Sequence, residues 1–177
     1  MTADAFGYAV VGVDEEAEFT AYIGANLPRL RRLAYLMCGD EHRADDVVQI
    51  AITRLFAHWR KARAARDLDA YVRAIVVRTF LNEHRRRWRL VRLVGRPADL
   101  PREPSSPPPD VETREVVWSA LRRLPPRARA VLVLRFVADL PVSEVAKALR
   151  CSESNVKTQT AHGLAALRRL LGKAGQR

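Results

Sequence analysis

Six prolines fall between Gly95 and Asp110, namely Pro97, Pro101, Pro104, Pro107, Pro108 and Pro109, with Ser105 and Ser106 among them. Proline lacks a backbone donor and fixes φ, so no helix can run through this stretch. Such a segment is extended and semi-rigid. It therefore divides the chain into an N-terminal module over 15–94 and a C-terminal module over 112–177, with 95–111 as the linker between them. Residues 1–14 show no convincing period and are expected to form an N-terminal extension without structure of its own.

On both sides of the linker apolar residues recur at three- and four-residue steps, which predicts an all-α protein of two helical domains. In the first module Phe19, Tyr22, Ile23, Leu27, Leu30, Ala34 and Met37 follow this spacing, with a kink or restart expected at Pro28 near Asn26. Gly39 and Asp40 end that helix and open a second. Its apolar stripe is Ala44, Val47, Val48, Ala51, Ile52, Leu55, Phe56 and Trp59, and its opposite face carries Asp45, Asp46 and Gln49. A third helix starts at Asp67, a good N-cap. It buries Leu68, Tyr71, Val72, Ile75 and Val76, then turns cationic through Arg85, Arg86, Arg87, Trp88 and Arg89.

The second module opens near Glu112, breaks at Pro125 and Pro126, and resumes through Val131, Leu134 and Phe136. A short helix with Val142, Val145, Ala146 and Leu149 inward then meets a tight turn at Arg150 and Cys151. Ser152 caps a longer helix that buries Val156, Leu164, Leu167 and Leu171. A short helix, a brief turn and a capped longer helix is the helix-turn-helix pattern, whose second helix enters the DNA major groove.

Charge sharpens this reading. Residues 1–50 carry four basic and nine acidic side chains, residues 51–100 thirteen and four, and the rest fourteen and seven, giving −5, +9 and +7. Excess Lys and Arg on a helical protein most simply meets nucleic acid, because neutralising phosphates releases condensed counterions. An anionic membrane surface is the rival. No run approaches the roughly 18 apolar residues of a membrane span, and no secretion signal is legible at the N-terminus, so the expected home is the cytoplasm. Cys38 and Cys151 stand apart from any ligand-spaced partner, which argues against a metal site or a disulfide framework. No cofactor is implied. No Ser/His/Asp set, carboxylate pair or glycine-rich phosphate loop points to an enzyme.

Three surfaces could carry function. Ser154, Asn155, Lys157, Thr158, Gln159 and His162 fall off the apolar stripe of the last helix, with Ser152 at its start. Asn and Gln can bond adenine edges, Lys can reach guanine or phosphate, and a capped N-terminus can hold a phosphate. The arginines from Arg85 to Arg89 exceed what capping a helix end requires, and Trp88 or Phe80 could offer a stacking face to unpaired bases. The Asp45, Asp46 and Gln49 face would be repelled by DNA, so any partner it has should be a basic protein surface.

From Glu18 to Leu171 the chain resembles a bacterial sigma factor of the extracytoplasmic-function type, in particular the actinobacterial SigE group. ADDVVQ at 44–49 is similar to the AEDLVQ element of region two that grips core RNA polymerase. AYVRAIVVRTFLNEHRRRWR at 70–89 is similar to the segment that melts and reads the minus-ten element. LRRLPPRARAVLVLRF at 121–136, followed by VAKAL and CSESNVKTQT, is similar to region four, which reads the minus-thirty-five element. The resemblance implies polymerase docking by Asp45, Asp46 and Gln49. It implies minus-ten contacts by Arg78, Thr79, Asn82, Arg85, Arg86, Arg87, Trp88 and Arg89, and minus-thirty-five contacts by Ser152, Ser154, Asn155, Lys157, Thr158, Gln159 and His162. Core polymerase and promoter DNA are the implied partners, and an anti-sigma factor is admitted as a third. Ile50 stands where the family usually has Glu, Arg78 where many members carry a base-reading Asn, Pro141 in place of a Ser or Thr cap, and Arg150 in place of the turn glycine. A stand-alone helix-turn-helix operator-binding repressor is the alternative, and it would need no acidic docking face.

Overall fold

The computed structural model describes residues 13–94 and 112–174. The expected linker over 95–111 and nearly all of the N-terminal extension lie outside these residues. The described residues form helices and short connections, with no strand among them.

Helix α1 spans Val13–Cys38, starting earlier than the sequence suggests, and its first turn carries Asp14, Glu15 and Glu16, which suit the positive end of the helix dipole. It runs unbroken through Pro28. The proline costs one backbone bond, to the carbonyl of Gly24, but both residues face solvent, where water can take that carbonyl. Meanwhile Phe19, Leu30, Ala34 and Met37 hold both halves of the helix against the core. Gly39, at φ +70, makes the turn that L residues resist. Asp40 then caps α2, Glu41–Ala57, its side chain accepting the Arg43 amide at 2.8 Å.

The apolar stripe of α2 buries Ala44, Val47, Val48, Ala51 and Leu55. The helix stops two residues short of the expected end, and Trp59 belongs to a separate short helix, α3, Trp59–Arg63. Trp59 is buried there, edge-on to Phe19 at 5.2 Å. Asp67 accepts the Ala70 amide at 2.8 Å and opens α4, Leu68–Val94, whose inner face includes Val72, Val76, Val77 and Phe80.

The C-terminal module comprises α5, Glu112–Arg122, and α6, Pro126–Leu132. Proline sits in the first turn of α6, where its missing donor costs nothing. A π-helical turn, Val133–Val137, follows α6 and is not foreseen in the sequence. Then come α7, Val142–Leu149, and α8, Glu153–Ala174. Gly163 lets α8 approach α6 closely, since a Cβ there would lie 3.1 Å from the Leu132 side chain.

The two modules do not form separate cores. A single buried cluster joins Phe19, Met37, Val76 and Val77 of the first to Val131, Leu134, Val145 and Val156 of the second. Arg129 locks this seam. It is only 8% exposed, and its guanidinium donates to the Met37 carbonyl at 2.6 Å, to the Leu124 carbonyl at 3.1 Å and to the Arg122 carbonyl. Helix ends leave carbonyls unpaired, and α1 has no basic residue in its own last turn, so a cation from the other module supplies that complement. Burial pushes the Arg129 pKa down to about 10, which still leaves it charged at neutral pH.

Candidate nucleic-acid interface

The α7–α8 turn is built on Arg150, which adopts a left-handed conformation at φ 50 and ψ 55. The Cys151 amide returns to the Ala146 carbonyl at 3.0 Å, closing the helix end as a glycine normally would. Pro141 precedes α7 without a side-chain cap bond. Ser152 accepts the Asn155 amide at 3.1 Å and so caps α8 as expected. With Val156 fully buried as the anchor of α8, Ser152, Ser154, Asn155, Lys157, Thr158 and His162 are exposed and Gln159 is half-buried. Ser152 thus caps the helix and the other six occupy its N-terminal half, the part that a helix-turn-helix presents to base edges.

On α4 the proposed strand-facing residues divide. Asn82, Arg85, Arg86, Arg87, Trp88 and Arg89 are exposed on the distal half of the helix. Arg78 is half-buried, donating from Nε to the Ala74 carbonyl at 3.0 Å, and burial followed by the nearby charge of Arg150 lowers its pKa. Two cations of different modules therefore face each other across the seam. Thr79 does not join the exposed set. It is 0% exposed, and its Oγ1 accepts from Arg54 at 3.0 Å, so its place in this fold is to tie α4 to α2. Phe80 is likewise buried, which leaves Trp88 as the exposed aromatic of this helix.

The acidic face of α2 is also divided. Asp45 is clamped by Arg31 of α1 through both carboxylate oxygens, each at 2.7 Å, and this hydrogen bonding holds its pKa below the usual carboxylate range. Asp46 and Gln49 stand exposed beside it. Other carboxylates of this module are paired within it: Glu15 with Arg60 and Arg63, Glu18 with Arg63, and Asp69 with Arg29. Among the described residues no cluster of His, Cys, Asp or Glu could hold a metal, and no helix is long and apolar enough to cross a membrane.

Residues 22–90 match the sigma-70 region 2 family and residues 114–167 match sigma-70 region 4. An RNA polymerase sigma-E factor of Streptomyces coelicolor is 31% identical over 156 residues, a match covering 87% of this chain and 86% of that protein. This chain belongs to the extracytoplasmic-function RNA polymerase sigma factors of the sigma-E type. It is a promoter-directing initiation factor, not an enzyme.

Other sigma factors extend the likeness. The extracytoplasmic-function factor SigE of Mycolicibacterium smegmatis is 29% identical over 151 residues, covering 82% of this chain and 58% of that protein. The solved sigma factor RpoE of Bartonella quintana, determined in complex with the anti-sigma factor NepR, superposes with a TM-score of 0.69 at 22% identity over 88% of this chain and 97% of that one. That likeness establishes the shared two-part helical fold. Within this sigma factor, sequence reasoning missed Arg31, Arg54, His84 and Arg129. His84 alone had a legible signal, since it lies four residues from both Phe80 and Trp88. The others act through partners remote in the chain.

Proposed function

We propose that this sigma factor divides its work among the three surfaces described above. Residues 15–94 act as region two and residues 112–177 as region four, joined by the proline-rich segment. Asp46 and Gln49 dock on a basic surface of core RNA polymerase, with Asp45 held beside them by Arg31. The non-template strand of the opened minus-ten element runs along Arg78, Asn82, Arg85, Arg86, Arg87, Trp88 and Arg89, while Thr79 supports this surface from inside. Ser152, Ser154, Asn155, Lys157, Thr158, Gln159 and His162 face the minus-thirty-five element in the major groove. Opening is driven by binding: stacking and phosphate contacts offset the few kcal/mol required to unstack each base, with no nucleotide hydrolysis.

The observation that carries this reading is the presence of two exposed polar helical faces, distal α4 and proximal α8, on modules joined by a segment long enough to separate them. The cytoplasm is where such a factor works. An anti-sigma factor is a further partner, in line with the complex formed by the Bartonella protein. The purified chain should co-elute with core polymerase and direct initiation at a defined start site in vitro. A chain that ignores core polymerase, however tightly it binds duplex DNA by itself, would overturn the docking assignment.

A further inference from the structure

Phe80, His84 and Trp88 recur every four residues and so form one column along α4. Phe80, 2% exposed, is its buried foot. The Phe80 and His84 ring centroids are 6.3 Å apart, and those of His84 and Trp88 are 6.2 Å apart. At the top of the column Trp88 is 59% exposed, high for the largest apolar side chain, and it stands within the cationic run from Arg85 to Arg89.

The exposed ring is nevertheless tethered. Its Nε1–H donates to His84 Nε2 at 2.6 Å. An indole nitrogen can only donate, so Nε2 must carry a lone pair and the imidazole proton must reside on Nδ1. The surroundings favour that neutral form. Burial lowers the His84 pKa, and Arg43 of α2, Arg129 of α6 and Arg87 of α4 all face the ring and act in the same direction. The Cys38 thiol shares those three arginines as neighbours and stays uncharged, because burial pushes it up to about 11.

We infer that His84 is a positioning residue for promoter opening: it fixes the indole of Trp88 so that an aromatic face stands ready for an unpaired base while the adjacent arginines take the phosphates. A ring already ordered before the strand arrives does not lose that freedom at capture, which strengthens stacking without a new contact. This rests on distal α4 being the strand-binding surface.

Binding of a fluorescein-labelled 20-nucleotide oligothymidylate to the full chain, followed by anisotropy at low salt, tests the inference. His84→Ala should weaken binding about fivefold, the share of one net hydrogen bond, and leave binding of a 20-base-pair duplex within twofold. His84→Gln should restore most of the loss, since its amide oxygen can accept the indole N–H. In a Trp88→Phe background, His84→Ala should have no further effect. Wild-type affinity should fall as pH drops through the His84 titration, below the ordinary histidine value, because a protonated Nε2 cannot accept; His84→Gln should be flat there. If Trp88→Ala weakens binding and His84→Ala does not, the inference is overturned while the strand surface stands. A His84→Ala loss that persists undiminished with Trp88→Phe would make His84 merely structural. No effect from Trp88→Ala or from Arg85→Ala with Arg86→Ala would remove the strand surface itself. Should His84→Ala fail to fold, the Trp88→Phe and His84→Gln pair carries the test through the pH profile.

Discussion

The bidentate Arg31–Asp45 pair sorts the acidic face of α2 into one clamped carboxylate and one free one. An exposed pair of this kind contributes little stability, so its effect is on geometry: Asp45 is committed within the fold and Asp46 is available to a partner. Asp46→Arg is therefore expected to lower affinity for core polymerase at least tenfold with little change in thermal midpoint, as charge reversal at a docking rim does. Unaltered co-elution and transcription would remove Asp46 from the interface. On α8, Gln159 is half-buried and Lys157 exposed, so they should fail differently. Gln159→Ala should cost about 1–3 kcal/mol on the cognate upstream element and little on unrelated duplex, whereas Lys157→Ala should lower the salt slope of binding by about 1. Titrations of cognate and scrambled duplexes at several salt concentrations separate the two, and an equal loss on every sequence for Gln159→Ala would contradict base reading.

Helices α7 and α8 meet at a residue that is poorly suited to its backbone. Arg150 holds a left-handed conformation that glycine adopts without strain, and it sets a cation beside half-buried Arg78. Arg150→Gly is expected to raise stability by about 1 kcal/mol in chemical denaturation, since both strain and repulsion are relieved. A loss of stability would mean that the arginine makes a contact outweighing its strain. The same scale explains what patterns could and could not reveal. The Asp40, Asp67 and Ser152 caps were legible because capping is a local exchange between a side chain and an amide three residues on. Continuity of α1 through Pro28 was not, because packing on both sides of the proline outweighs one lost backbone bond.

Across the whole molecule, the shared core sets a geometric conflict with promoter binding. A folded body of this many residues has a radius of gyration of roughly 15 Å, whereas elements some 25 base pairs apart at ~3.4 Å per step lie ~85 Å apart along straight duplex. A single body that keeps α7 on α4 cannot reach both. The modules should therefore part when the holoenzyme engages promoter DNA. With Cys38→Ser and Cys151→Ser, dyes on Lys61→Cys and Arg168→Cys, both exposed positions, should show strong energy transfer in the free chain and lose most of it in the transcribing complex. Undiminished transfer there would show that the seam does not open. Arg129, which crosses the seam to the Met37 carbonyl, is the contact that must be undone.

Helical class, the order of modules, the capped helix-turn-helix and the cationic end of α4 were determined by the sequence itself, because each depends on spacing within a few residues or on proline's own covalent constraint. Tertiary structure alone decided that Thr79 and Phe80 turn inward while Trp88 stays out, that Arg31 takes Asp45, and that Arg129 crosses to Met37. Periodicity says which side chains share a face of a helix. Which face is covered, and by which charge, depends on elements tens of residues away, whose approach is set by the packing of the whole core.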